Sequence, residues 1–336
     1  MDETIIKPQI MAFEVTGKCQ FHCRHCRANA ECTPTGELTT DQCKQILFAL
    51  ANYAKCMVIF TGGEPLERPD IFELLDHTQS LGLGSVMATC GYLIDKDMIK
   101  RLQEAKVMAL SFSLDGSSAE THDLFRQAKG AFNAVLKATE LARAAGMRFQ
   151  INTTLSRINK HEVIAISAMA ERMGAACFNP FILVPTGRGE ELSDQLLDPV
   201  EYETLLNELL KIKINSSIPM RVTCGPQFAR ITRTRAEERV DAAPGCMGGR
   251  EFGFISRQGV VQTCGFLQIS AGNLLENGYD FRQIWEESHF LEEIRDREHY
   301  SGKCSMCAYM DTCGGCRARA FAASGDYLGN DPLCSS

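Results

Sequence analysis

Three cysteines near the start of the chain carry the first chemistry. Cys19, Cys23 and Cys26 stand at C-x3-C-x2-C spacing in "KCQFHCRHCR", residues 18–27. Three thiolates can hold a four-iron cubane by three corners and leave the fourth iron without a protein ligand. Clusters that only carry electrons use four cysteines. An open metal position binds and activates a small molecule, as in catalytic zinc sites. The other reading is a zinc ion held by the three thiolates with His22 or His25. A second set of seven cysteines fills the tail: Cys246, Cys264, Cys304, Cys307, Cys313, Cys316 and Cys334. Cys224, in "VTCGP", lies just ahead of it. The chain has 16 cysteines in all. Structural disulfides are rare in a reducing compartment, and clustered cysteines there point to metal. Cys32, Cys43, Cys56, Cys90 and Cys177 stand apart, and an isolated cysteine packs as a small hydrophobe.

These ligands need a scaffold. The first 190 residues alternate strand-like and helix-like segments. Strand candidates are 10–16, 56–62, 85–90, 109–115, 149–155 and 177–185. Amphipathic stretches such as 39–54 and 130–146 lie between them. Glycines punctuate the joins, as at Gly82, Gly130, Gly146 and Gly174. Six β-then-α repeats predict an α/β fold with a parallel sheet and helices outside. Six is too few for a closed eight-stranded barrel, so an open, partial (β/α)6 TIM-like barrel is expected. The stretch "DPVEYETLLNELLKIK" reads as a capped helix. "GFISRQGVVQTC" reads as a β-hairpin turning near Gln258 and Gly259. A barrel over 1–220 and a cysteine-rich domain over 221–336 follow, with a soft boundary at 220–244.

Composition bounds the function. The chain has 336 residues, 45% hydrophobic and 23% charged, with a net charge of −7 at pH 7. That is the balance of an ordinary globular protein, and it argues against a nucleic-acid partner. No run of 18 apolar residues exists, so no membrane span is expected. The opening "MDETIIKPQI" is acidic and lacks an apolar core, unlike a signal peptide. A cytoplasmic protein is the expectation.

The C-x3-C-x2-C motif directly after a strand resembles the radical S-adenosylmethionine (SAM) enzymes, over nearly the whole chain. The resemblance implies that the open iron chelates SAM. One electron from the cluster then cleaves SAM to methionine and a 5'-deoxyadenosyl radical, which abstracts a substrate hydrogen. It also implies roles for other residues. His25 takes the usually aromatic place by the adenine. Gly62, Gly63 and Glu64 in "TGGEP" approach the SAM ammonium. Ser113 and Asp115 in "SFSLDG" lie near SAM, and Arg126 in "HDLFRQ" meets its carboxylate. Relatives often carry Asn-Gly where this chain has Cys90 and Gly91.

The tail resembles the SPASM extension of such enzymes, which binds two auxiliary four-iron clusters. "CGGC" at 313–316 is one residue shorter than the usual spacing. By that resemblance Cys304, Cys307, Cys313 and Cys334 hold one cluster. Cys246, Cys264 and Cys316 hold the other, with Cys224 a candidate fourth ligand. Three [4Fe-4S] clusters and SAM are thus the implied cofactors.

"AFEVTGKCQFHCRHCRANAE", "FILVPTGRGEEL" and "GCMGGREFGFISRQGVVQTCGFL" resemble the enzymes of siroheme-dependent heme and heme d1 synthesis. The implied reaction is oxidative decarboxylation of porphyrin propionates, two propionates of iron-coproporphyrin III becoming vinyl groups. The implied partners are a tetrapyrrole substrate and an electron donor such as flavodoxin or ferredoxin. A tetracarboxylate calls for arginine forks, and Arg188, Arg221, Arg230 and Arg233 are the candidates, with Arg317 and Arg319 beside the tail cysteines. The alternative is a SPASM peptide maturase that works with a separate leader-binding protein. The first strand begins by residue 10, which leaves no room ahead of it for a leader-binding domain.

Overall fold

A computed structural model describes residues 5–235 and 243–335. Residues 236–242, within the stretch where the sequence places the domain boundary, lie outside the described residues. Six parallel strands form the body: β1 (Ile10–Thr16), β2 (Met57–Gly62), β3 (Gly84–Thr89), β4 (Ala109–Ser113), β5 (Phe149–Leu155) and β6 (Cys177–Ile182). Helices α1 (Thr40–Tyr53), α2 (Ile71–Ser80), α3 (Lys96–Glu104), α4 (Ala119–Arg126), α5 (Ala131–Ala144) and α6 (Val163–Met173) fill the crossovers. α7 (Pro199–Asn215) and α8 (Phe228–Arg235) follow.

Local chemistry sets the boundaries. Thr39 and Gln42 form a reciprocal capping box that starts α1. Asp198 and Glu201 do the same for α7, with Pro199 at its first position. Gly174 ends α6 in the left-handed conformation. Alternation along the strands divides two environments. Met11, Phe13, Val58, Phe60, Leu110, Phe112, Phe149 and Ile151 are buried in one continuous core. The alternate residues face the lumen, where β4–β6 are polar. There Asn152 donates to Ser111 at 2.8 Å, and Asn179 donates to Asn152 at 2.9 Å.

The sheet does not end at β1. β7 (Phe252–Ile255) pairs parallel to β1, with Ile10 opposite Phe252. β8 (Val260–Gln262) and β9 (Gly272–Asn273) continue antiparallel. The strand order is β6-β5-β4-β3-β2-β1-β7-β8-β9, an open sheet of nine. The expected hairpin is present, with Gly259 at φ +81° in its turn. The sheet runs on across the boundary the sequence places near 220–244. Helices α9 (Phe281–Glu287) and α10 (His289–Arg295) pack back on the body. Trp285 is buried, and its indole N–H donates to Ile6 O at 3.0 Å. Of the last five cysteines, Cys304 lies in the short helix α11 (Gly302–Ser305) and Cys316 caps the start of α12 (Arg317–Ser324), while Cys307, Cys313 and Cys334 lie outside both.

Candidate functional site

The cysteine loop leaves the C-terminal end of β1, where α/β folds place their sites. It is held to the neighbouring strand by two glycines. A Cβ at Gly62 would overlap Thr16 O, and one at Gly63 would overlap Lys18 O. Gly62 also sits at φ +149°, open to glycine and costly for other residues. The "GG" therefore lets the end of β2 lie directly on the loop backbone. Gly63 N–H donates to Thr16 O at 2.8 Å, and Glu64 N–H to Lys18 O at 2.7 Å.

Cys19 and Cys23 are buried and Cys26 is half-buried. Backbone amides point at two of the sulfurs: Phe21 N donates to Cys19 Sγ at 3.4 Å and Ala30 N to Cys26 Sγ at 3.5 Å. The third sulfur faces a cation, with Arg126 Nη1 3.9 Å from Cys23 Sγ. Burial pushes the Cys23 thiol up to about 11, against the pull of Arg126. All sixteen cysteines are free. Among the described residues, no three His, Cys, Asp or Glu side chains converge on a single-ion position. Three free thiols ringed by N–H donors and one guanidinium match the donor set of a three-thiolate iron–sulfur cluster.

The other residues singled out by the sequence converge on this loop. Asp115, at the end of β4, is fully buried. Its Oδ2 accepts from Arg126 Nε at 2.8 Å and lies 3.5 Å from His25 Nε2, and its Oδ1 accepts from Thr154 N at 2.7 Å. Burial opposes its ionisation, but Arg126, then His25 and His122, outweigh it and hold the carboxyl below its usual range. His122 and Arg126 stand one turn apart on α4, so both face Asp115. His122 Nδ1 accepts from Asp115 N at 3.0 Å. His25 stacks on Phe125 with ring centroids 4.2 Å apart. Its Nδ1 is buried without a partner among the described residues. Glu64 is fully buried beneath the loop. Its Oε2 accepts from Thr89 Oγ1 at 2.9 Å, Cys90 N at 2.8 Å and Cys90 Sγ at 2.9 Å. Burial raises the Glu64 carboxyl, and these bonds pull it back. Ser113 is half-buried on the lumen face, opposite Asn152 of β5.

The tail cysteines fall into two groups. Burial holds the Cys224 thiol well above its ordinary value, and the next influences on it are Cys316, Cys264, the opposing pull of Arg319, and then Cys246. Cys313 is raised to about 12 by burial, and its thiol neighbours are Cys334 and Cys304. Cys224 takes φ +56°, unusual for a non-glycine residue. Arg319 and Asp331 brace the first group. Arg319 Nε donates to Asp331 Oδ1 at 3.0 Å and Nη2 to Oδ2 at 2.7 Å, while Nη1 donates to Cys224 O. Asp331 also accepts from Cys316 N at 2.8 Å and Leu333 N at 3.1 Å. No local pattern in "GNDPLC" marks Asp331, nor does any in "ETHDLF" mark His122.

The four arginines expected at a substrate are not brought together. Arg188 clamps the cysteine loop, with Nε donating to Cys23 O at 2.9 Å, Nη1 to Ala30 O at 2.8 Å, and its backbone N to Cys26 O at 3.0 Å. Gly187 allows this approach, since a Cβ there would lie 2.6 Å from Cys26 O. Arg221 is exposed beside the start of β6, its amide bonded to Phe178 O, at the other end of the strand. Arg230 pairs with Glu203 at 2.5 Å. Arg233 is exposed on α8. Arg317 is buried and donates to Tyr327 O, Gly329 O and Cys304 Sγ.

Comparison with known proteins follows the same lines. The model of the radical SAM superfamily matches residues 13–170. A Methanosarcina barkeri protein named AdoMet-dependent heme synthase is 42% identical over 97% of this chain and 96% of its own. A Mycolicibacterium smegmatis protein named mycofactocin maturase is 30% identical over 97% of this chain and 82% of its own. The crystal structure of Streptococcus suis SuiB bound to S-adenosylmethionine superposes at a TM-score of 0.78 and 18% identity, covering 99% of this chain and 78% of SuiB. At that identity the likeness is one of fold.

Proposed function

We propose, since the chain belongs to the radical SAM superfamily, that it is an oxidative decarboxylase of porphyrin propionates, converting iron-coproporphyrin III to protoheme in heme biosynthesis. The observation that carries this reading is the 42% identity, end to end, with a relative named AdoMet-dependent heme synthase. The relative named as a maturase stands at 30%. The four-iron cluster and SAM, when bound, supply the 5'-deoxyadenosyl radical.

The chain's own residues define the rest. Cys19, Cys23 and Cys26 hold the SAM-binding cluster. The Asp115–Arg126 pair fixes the α4 end of the site, with Arg126 Nε on Asp115 and Nη1 on Cys23 Sγ, which leaves Nη2 to meet a SAM carboxylate. Buried Glu64 faces the SAM ammonium from beneath the loop. His25, stacked on Phe125, provides a flat wall for the adenine. In this reading the tail is a SPASM domain with two further clusters. Cys224, Cys246, Cys264 and Cys316 hold the nearer one, and Cys304, Cys307, Cys313 and Cys334 the other. When bound, those clusters would supply an acceptor for the surplus electron of each decarboxylation, and a flavodoxin or ferredoxin would be the donor to the first cluster. No helix among the described residues is long and apolar enough to cross a membrane.

Anaerobic incubation of the iron-loaded protein with SAM, reductant and iron-coproporphyrin III tests the reading. Each propionate converted should lose carbon dioxide and two hydrogens, read by mass, as 5'-deoxyadenosine accumulates. An unchanged porphyrin beside a modified precursor peptide would establish the maturase reading instead.

A further inference from the structure

Between the loop of Cys26 and the tail segment of Cys264 lies a cluster of charge that no role above uses. Glu14 is buried on the lumen face of β1. Two guanidiniums approach its Oε1, Arg27 Nη1 at 3.8 Å and Arg257 Nη1 at 3.4 Å. Arg27 follows Cys26 in the cysteine loop. Arg257 follows β7 of the tail. Each lies on a glycine: a Cβ at Gly265 would sit 2.9 Å from Arg27 Cζ, and one at Gly17 would sit 2.8 Å from Arg257 Cζ. The chain has thus left room for both side chains. Arg27 also stacks over the Phe254 ring at 4.6 Å.

The charges do not balance. Two guanidiniums share one carboxylate, and among the described residues no other carboxylate pairs with either. Both contacts with Glu14 are longer than a good charge-assisted bond. No Arg27 N–H has a hydrogen-bond acceptor among the described residues. Arg257 donates to Ala28 O at 3.0 Å, and its Nε is buried without a partner. A buried cation with free donors is costly to leave unpaired. The side chains are only 17% and 18% exposed, so water meets this need in part.

Position says what would complete it. Arg27 is one residue from Cys26 and packs on Gly265, one residue from Cys264. A molecule that loses hydrogen on the SAM side and an electron on the tail side must lie between those cysteines. We propose that Arg27 and Arg257 form the anchor for a carboxylate of the substrate, the guanidinium fork taking one propionate in competition with the weakly held Glu14. This rests on the porphyrin reading above and takes the place of the candidates Arg188, Arg221, Arg230 and Arg233.

The test compares iron-coproporphyrin III with its tetramethyl ester in dilute detergent, each titrated by its Soret band into the iron-loaded protein. Wild type should bind the free acid more tightly than the ester. Arg27→Gln should weaken the acid at least roughly tenfold and leave the ester unchanged. Glu14→Gln, which removes the competing carboxylate, should bind the acid as tightly as wild type or more so. Arg27→Lys, with the charge but not the fork, replaces the glutamine variant if that one loses iron. Loss of acid and ester alike, an unchanged acid affinity in the Arg27 variant, or weaker acid binding by Glu14→Gln overturns the anchor while the porphyrin reading stands. A wild type that binds neither form overturns the porphyrin reading itself.

Discussion

At the scale of residues, the candidate site is a set of buried charges held in one protonation state. His25 and His122 both face Asp115, and burial lowers each from 6.5 to about 4, with Arg126 adding to the effect. Both are therefore neutral in the folded protein near neutral pH. The unfolded chain binds a proton on each below about 6.5, so stability is complete above that value and falls as pH drops toward about 4. We expect a loss of about 2 kcal/mol per histidine between pH 7 and pH 5. Urea unfolding of wild type and His122→Gln at the two pH values checks it. The variant should lose less between pH 7 and pH 5 than wild type, and parallel losses would assign the slope elsewhere. Asp115 works in the same direction at lower pH: its carboxyl is held below the usual range, so its contribution is present above the ordinary carboxylate value and is lost as pH falls through the lowered one. The sequence marks His25 as a flat ring in the cysteine loop but not as a partner of Asp115, and it does not mark His122 at all. The motif "SFSLDG" marks Asp115 through its resemblance to the radical SAM enzymes at the end of a strand, whereas His122 has only a helical spacing shared with many surface residues.

Elements were easier to read than their contacts. Strand limits from hydrophobic alternation agree closely for β1 and β5, which are long and strictly patterned. The sixth reads three residues too long, because "LVP" continues the apolar run after the ladder has ended at Ile182. The pattern reports which face is buried and is silent on what covers it. Arg188 shows the consequence. Glycines on either side and a place past a strand end make it look available for a ligand. In the fold those same glycines bring it against the cysteine loop, where it ties the segment after β6 to Cys23 and Ala30. Arg188→Ala should therefore loosen the loop, lowering iron by about four atoms of about twelve and abolishing SAM cleavage. Iron, sulfide and 5'-deoxyadenosine assays check this. Full iron with normal cleavage would show that the clamp is dispensable.

For the molecule as a whole, the tail completes the barrel sheet. β1 has β2 on one side and β7 on the other. A chain ended at residue 220 would leave β1 as a bare apolar edge, a template for association. It should elute from gel filtration as aggregate, while the full chain stays dispersed. A monomeric, folded 1–220 fragment would show that the barrel stands alone. The same pairing sets a clock. Ile10 is opposite Phe252, so about 240 residues must leave the ribosome after β1 before its second neighbour exists. At typical synthesis rates that is roughly 12–50 s. Throughout it the first strand made is the last to be enclosed, and the newborn chain waits with its cysteine loop assembled on one side only.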